Sequence, residues 1–81
     1  MLFQRTKPRE TLMAGAIYER DREYNMKEHA TITWVGEDCF GIPHVRFRVT
    51  IPGFDETDDL RVLAEDVFRS RYRLCHETQA A

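Results

Sequence analysis

His44-Val45-Arg46-Phe47-Arg48-Val49-Thr50-Ile51 alternates without interruption. Val45, Phe47, Val49 and Ile51 take every second position, and His44, Arg46, Arg48 and Thr50 take the others. Successive side chains of a strand point to opposite faces, so this segment reads as a strand with one apolar and one basic face. Pro52-Gly53 ends it. A strand wet on one side belongs in an antiparallel sheet, because parallel strands are usually covered on both faces.

Working outward, residues 28–35 read as a second strand, rich in the Thr, Ile, Val and Trp that suit a pleated surface. Ala30, Ile32 and Trp34 fall on one side, and His29, Thr31, Thr33 and Val35 on the other. Residues 36–43 between the two strands hold two glycines and a proline, which predicts a hairpin. An earlier strand is expected over residues 13–20, with Gly15 marking a bulge or tight bend and residues 21–25 forming the turn that follows.

Residues 57–74 read two ways. Leu60, Leu63, Ala64, Val67, Phe68, Arg71 and Tyr72 fit a helical stripe, with Thr57 as cap and Asp58 and Asp59 in the first turn. Alternatively, residues 60–63 are a short fourth strand and a brief helix occupies residues 65–72. The first reading satisfies propensity; the second leaves fewer unpaired edges.

The chain has 81 residues and a net charge of -2, with 42% hydrophobic and 32% charged residues. That bounds it to one domain with a modest core. No apolar run is long enough for a transmembrane helix, and the N-terminus lacks the apolar stretch of a signal peptide. The expectation is a cytoplasmic protein that does not enter membranes, a monomer or weak homodimer, with Cys39 and Cys75 reduced. Residues 1–11 read as a flexible arm, 12–76 as the single domain and 77–81 as a frayed tail. The expected core is Ile17, Ala30, Ile32, Trp34, Val45, Phe47, Val49, Ile51, Val62, Val67 and Phe68.

Gly15-Ala16-Ile17-Tyr18-Glu19-Arg20 looks like the first strand of small SH3-like β-barrels, the group that includes KOW and Tudor modules. Residues 61–72 resemble a closing strand plus a short helical turn. Gly41-Ile42-Pro43-His44-Val45-Arg46-Phe47 is similar to a segment of a family of small bacterial proteins of uncharacterised function. The resemblance spans residues 12–73. It implies a binding-module fold and transfers no site residue. The expected fold class is therefore mostly β, a small antiparallel SH3-like barrel with a short C-terminal helix. The alternative is α+β, a three-stranded antiparallel sheet covered by one long C-terminal helix.

Several residue groups are candidate sites. Cys39, His44 and His29, or Cys75 beside His76, offer metal ligands. Paired short spacings such as Cys-x-x-Cys are absent, so the expectation is no metal and no cofactor. A Cys39–His44 or Cys39–His29 thiolate pair lacks any sign of an oxyanion hole, and no phosphate-binding or nucleophile-elbow motif occurs, so no catalytic residue is assigned. His44, Arg46 and Arg48 share a strand face that Arg69, Arg71 and Arg73 would extend, and Arg5, Lys7 and Arg9 add charge from the arm. Arginine suits bidentate phosphate contacts, and Tyr24 or Phe40 would stack on bases, but a sequence pI near 5.9 is acidic for a dedicated nucleic-acid binder. Phe40 and Phe54, both next to glycine, are candidate anchors for a protein partner. The sequence thus points to a non-catalytic binding or adaptor module acting through protein–protein contacts. Its expected surface is Phe40, Ile42, Pro43, His44, Arg46, Arg48, Arg69 and Arg71. The alternative is an RNA- or DNA-binding module on the same basic face.

Overall fold

A computed structural model describes residues 10–75, without the side chains of residues 55–58. The arm cations Arg5, Lys7 and Arg9, the tail at 77–81 and His76 lie outside the described residues. Five strands and one helix follow in the order β1 (Ile17–Asp21), β2 (Lys27–Glu37), β3 (Pro43–Ile51), β4 (Phe54–Ala64), α1 (Glu65–Arg71) and β5 (Arg73–Leu74). The strands form one antiparallel sheet in the spatial order β4-β3-β2-β1-β5.

The mostly-β expectation holds, but the sheet is open and not an SH3-like barrel. Its edges, β4 and the two-residue β5, do not pair with each other among the described residues. The long-helix alternative is also corrected. Residues 54–64 are strand, and the helix begins only at Glu65. Glu65 and Asp66 sit in its first turn and Arg69 and Arg71 in its last, each sign favourable to the helix dipole. Glu65 and Arg69 add an i,i+4 ion pair at 2.9 Å.

The helix covers one face of the sheet. Phe68 contacts the rings of Tyr18, Phe47 and Tyr72 at centroid distances of 5.1, 5.0 and 4.9 Å. Leu12, Ala30, Ile32, Val45 and Val49 complete the buried cluster, with Val35, Leu63 and Leu74 packed against it. Six expected core residues are therefore in place: Ala30, Ile32, Val45, Phe47, Val49 and Phe68.

The other five have local reasons to lie elsewhere. Tyr18, opposite buried Ala30, takes the inward position of β1 and turns Ile17 outward. Ile32 opposes Phe47 but Trp34 opposes Arg46, so Thr33 is an extra residue, a β-bulge. A slip of one residue reverses the faces, which sends Trp34 out and Val35 in. Val62 pairs with Arg46 on the outer face. Val67 is displaced by its helical neighbour Phe68, and Ile51, next to the Pro52-Gly53 turn, is half-buried.

One charged side chain enters the core. Glu28 is 0% exposed and shares the inner face with Ala30 and Ile32. Its Oε1 accepts a 3.0 Å bond from Arg22 Nη1 and lies 3.4 Å from Arg20 Nε. Its Oε2 accepts from the Tyr72 hydroxyl. Leu12, the first residue of the expected domain, is buried, and Glu10 just before it accepts from the Tyr18 hydroxyl at 2.8 Å and, through its carbonyl, from Arg69 at 3.0 Å.

Candidate functional site

The outer face is built from rows of facing residues. One row runs Val62–Arg46–Trp34 across β4, β3 and β2, and the next runs Leu60–Arg48–Thr31–Ile17. Leu60, Val62, Trp34 and Ile17 are all exposed there. Apolar side chains gathered in one place, not scattered singly, are the informative kind of surface. β4 makes the pattern plain. Its Asp59 and Arg61 fall in the opposite rows, facing Val49 and Phe47, while Leu60 and Val62 point away from the core.

Trp34 is fixed in place. The Arg46 guanidinium lies 4.7 Å from its ring centroid. Beneath the ring is Gly36, where a Cβ would come within 2.3 Å of two indole carbons. Only glycine lets the ring lie this close to the backbone, so the indole is held between Gly36 and Arg46. The bulge residue Thr33 donates from its hydroxyl to the Arg46 carbonyl at 3.2 Å and fixes the kink that turned Trp34 outward.

A groove lined by Trp34, Glu37, Asp38, His44, Arg46 and Val62 joins this face to the β2–β3 loop. The loop is ordered by Asp38. Its Oδ1 accepts the backbone N–H groups of Phe40 at 2.8 Å and Ile42 at 3.0 Å. His44 Nδ1 lies 2.9 Å from the Ile42 carbonyl and 3.7 Å from Asp38 Oδ2. Gly41, at a φ of 79°, supplies the left-handed turn. Phe40 is 82% exposed at the tip of this braced loop, with Ile42 and Pro43 exposed beside it.

The bond from the Ile42 amide, helped by that from Phe40 and by His44, holds the Asp38 carboxyl below its ordinary value. A lowered pKa means the bracing is complete above the ordinary carboxylate pKa and is lost as pH falls through the lower, folded value. Asp38→Asn is therefore expected to speed hydrogen exchange at the Phe40 and Ile42 amides at neutral pH, with the amides of β3 unchanged. Unchanged exchange at Phe40 and Ile42 would mean that the backbone alone orders the loop.

The expected site residues divide between two sides. Phe40, Ile42, Pro43, His44, Arg46 and Arg48 come together on the loop and the outer face. Arg69 and Arg71 do not extend that surface, because α1 lies on the opposite side of the sheet. Arg69 is engaged by Glu65 and Glu10. Arg73 is on the outer side at the far edge, with Glu19 at 3.2 Å and Asp21 at 3.1 Å. Phe54 and Tyr24 are exposed, and Tyr24 lies at the positive φ of 61° in the β1–β2 turn. His29 is remote from Cys39 and His44: it pairs with Thr50, six residues along β3 from His44, or about 20 Å.

Sequence reading missed Trp34, Leu60 and Val62 as surface residues. Comparison with protein-family models, curated proteins and solved structures finds no match for this chain. No helix among the described residues is long and apolar enough to cross a membrane.

Proposed function

We propose that the chain is a non-catalytic binding module that docks a protein partner on the outer face of the sheet, through Trp34, Arg46, Arg48, Leu60 and Val62 and the Phe40 loop. The observation that carries this reading is the clamped Trp34–Arg46 pair, outward-facing and flanked by exposed aliphatic residues. Aromatic and arginine side chains dominate the energetics of protein interfaces, and rigid ones lose little entropy on binding. The partner would offer an apolar side chain to the Trp34–Val62 groove and a carboxylate to Arg46.

A second reading, a single-stranded nucleic acid, draws on the same arginines with Trp34 as stacking platform. Leu60 and Val62 beside the arginines and a net charge of -2 favour protein.

The test is an affinity capture from native extract with wild type, Trp34→Ala and Arg46→Glu/Arg48→Glu, with and without nuclease. A specific protein retained by wild type, resistant to nuclease and lost from both variants, is the expected outcome. Both substitutions lie on the outer face and should leave the melting temperature within a few degrees of wild type. Material that vanishes with nuclease would establish the second reading. Equal retention by all three proteins would make this face a solvated surface.

A further inference from the structure

At the other edge of the same outer face, Glu19, His29 and Cys75 converge from three chain segments. We propose that they bind a divalent transition-metal ion of the zinc class. Their ligand atoms all lie within 4.8 Å of one another, and each residue is half-buried.

The topology makes the grouping. Glu19 on β1 directly faces His29 on β2. β5 adds to the other side of β1, placing Arg73 opposite Glu19. The Cys75 amide then donates to the Ile17 carbonyl at 3.0 Å, which continues the pairing by one residue. Cys75 is two residues beyond Arg73 and so falls on the same face as Glu19. Its Sγ is 3.8 Å from Glu19 Oε1.

The chemistry fits. Zinc takes tetrahedral sets of thiolate, imidazole and carboxylate at about 2.0–2.3 Å, so its ligand atoms stand roughly 3.3–3.8 Å apart. The sulfur–oxygen pair is already at that separation, and the imidazole has a short distance to close. With the thiol deprotonated, thiolate and carboxylate bring two negative charges to a doubly positive ion. The proton leaves to solvent when Cys75 ligates. Arg73 Nε, 3.2 Å from Glu19 Oε2, engages the other carboxylate oxygen and orients Oε1 toward the cysteine, as outer-shell partners of metal ligands do. Three protein ligands leave a fourth position for water or another donor. The site is separate from the Trp34 surface and does not depend on that proposal.

The experiment uses the full chain, stripped with chelator under reducing conditions and titrated with Zn²⁺ and, separately, Co²⁺. The expected result is one ion per chain, with a thiolate-to-metal charge-transfer band and tetrahedral ligand-field bands in the Co²⁺ form. Cys75→Ser and His29→Ala should each weaken Zn²⁺ binding by at least about 100-fold, and Cys39→Ser should leave it unchanged. Circular dichroism of the metal-free variants checks that they fold. Absence of stoichiometric Zn²⁺ uptake by the wild type, or a Co²⁺ spectrum without the thiolate band, would overturn the proposal without reference to any variant. Uptake that survives both Cys75→Ser and His29→Ala would overturn it as well.

Discussion

Phe68→Ala is expected to remove a large part of the stability of the fold, about 3–5 kcal/mol. Phe68 is 0% exposed and is the only α1 side chain that is fully buried. It meets three other aromatic rings at about 5 Å and so ties α1 to β1 and β3 together. Removing a buried phenylalanine costs about 3–5 kcal/mol, as lost transfer energy plus an unfilled cavity. A chain of this length has roughly 4–12 kcal/mol of stability in all, so the substitution takes much or all of it. Phe68→Leu, which keeps most of the volume, is expected to cost about 1–2 kcal/mol and remain folded. Urea denaturation should show the midpoint falling from wild type to Phe68→Leu to Phe68→Ala, with the slope unchanged for the leucine variant. A loss under about 1 kcal/mol for Phe68→Ala would mean that the helix is not seated on the sheet.

The second large effect is at Glu28. Glu28→Ala leaves Arg20, Arg22 and the buried Tyr72 hydroxyl without the carboxylate they converge on. Arg20 and Arg22 are each about a third exposed and can turn to water, so the cost is mainly the buried Tyr72 hydroxyl left unpaired and the space left by the side chain, about 2–4 kcal/mol. Tyr72→Phe removes one hydrogen bond and should cost less, on the order of 1–2 kcal/mol. The network also sets an alkaline limit. Burial, then the bond to Glu28, pushes the Tyr72 hydroxyl up to about 12 from its ordinary value of 10.0. Tyr18, buried and bonded to Glu10, is raised as well. A raised folded-state pKa gives stability that is complete below about pH 10 and is lost as pH climbs towards 12. Urea midpoints should therefore drop between about pH 10 and pH 12, and Tyr72→Phe should flatten part of that drop. An equal drop in the variant would remove Tyr72 from the account.

The inner faces of β3 and of β2 before the bulge were legible because alternation is unbroken there, and Val45, Phe47 and Val49, with Ala30 and Ile32, followed from period two alone. The signal failed where the backbone departs from that period. Nothing in Ile32-Thr33-Trp34-Val35 announces a bulge, and alternation carried through it puts Trp34 inside. On β4 the apolar residues Leu60 and Val62 point outward, so a rule that apolar means core selected Val62. The helix stripe drawn through residues 60–72 was real only from Glu65 onward; before it, pairing with β3 overrides propensity. Glu28 was visible as a charge on the face of Ala30 and Ile32, but its partner Tyr72 lies 44 residues away. The same long separation hid the meeting of Glu19 and His29 with Cys75. It depends on β5, a strand too short to have a period.

The site residues show the same division. His44, Arg46 and Arg48 share a face because a single strand carries them, and the loop residues Phe40 and Ile42 adjoin it through the hairpin. Only their charge groups Arg69 and Arg71 with them, and charge carries no information about which side of a sheet a helix will cover.

Trp34 is the single tryptophan of the chain, so its fluorescence reports directly on whether the bulge turns it outward. Acrylamide quenching of the folded protein is the most direct measurement. At 40% exposure the indole should emit at wavelengths typical of partly hydrated tryptophan and be readily quenched. Arg46→Ala should raise the quenching further by uncovering the ring. Blue-shifted emission shielded from acrylamide in the folded state would place Trp34 in the core, and would contradict both the bulge and the binding face built on it.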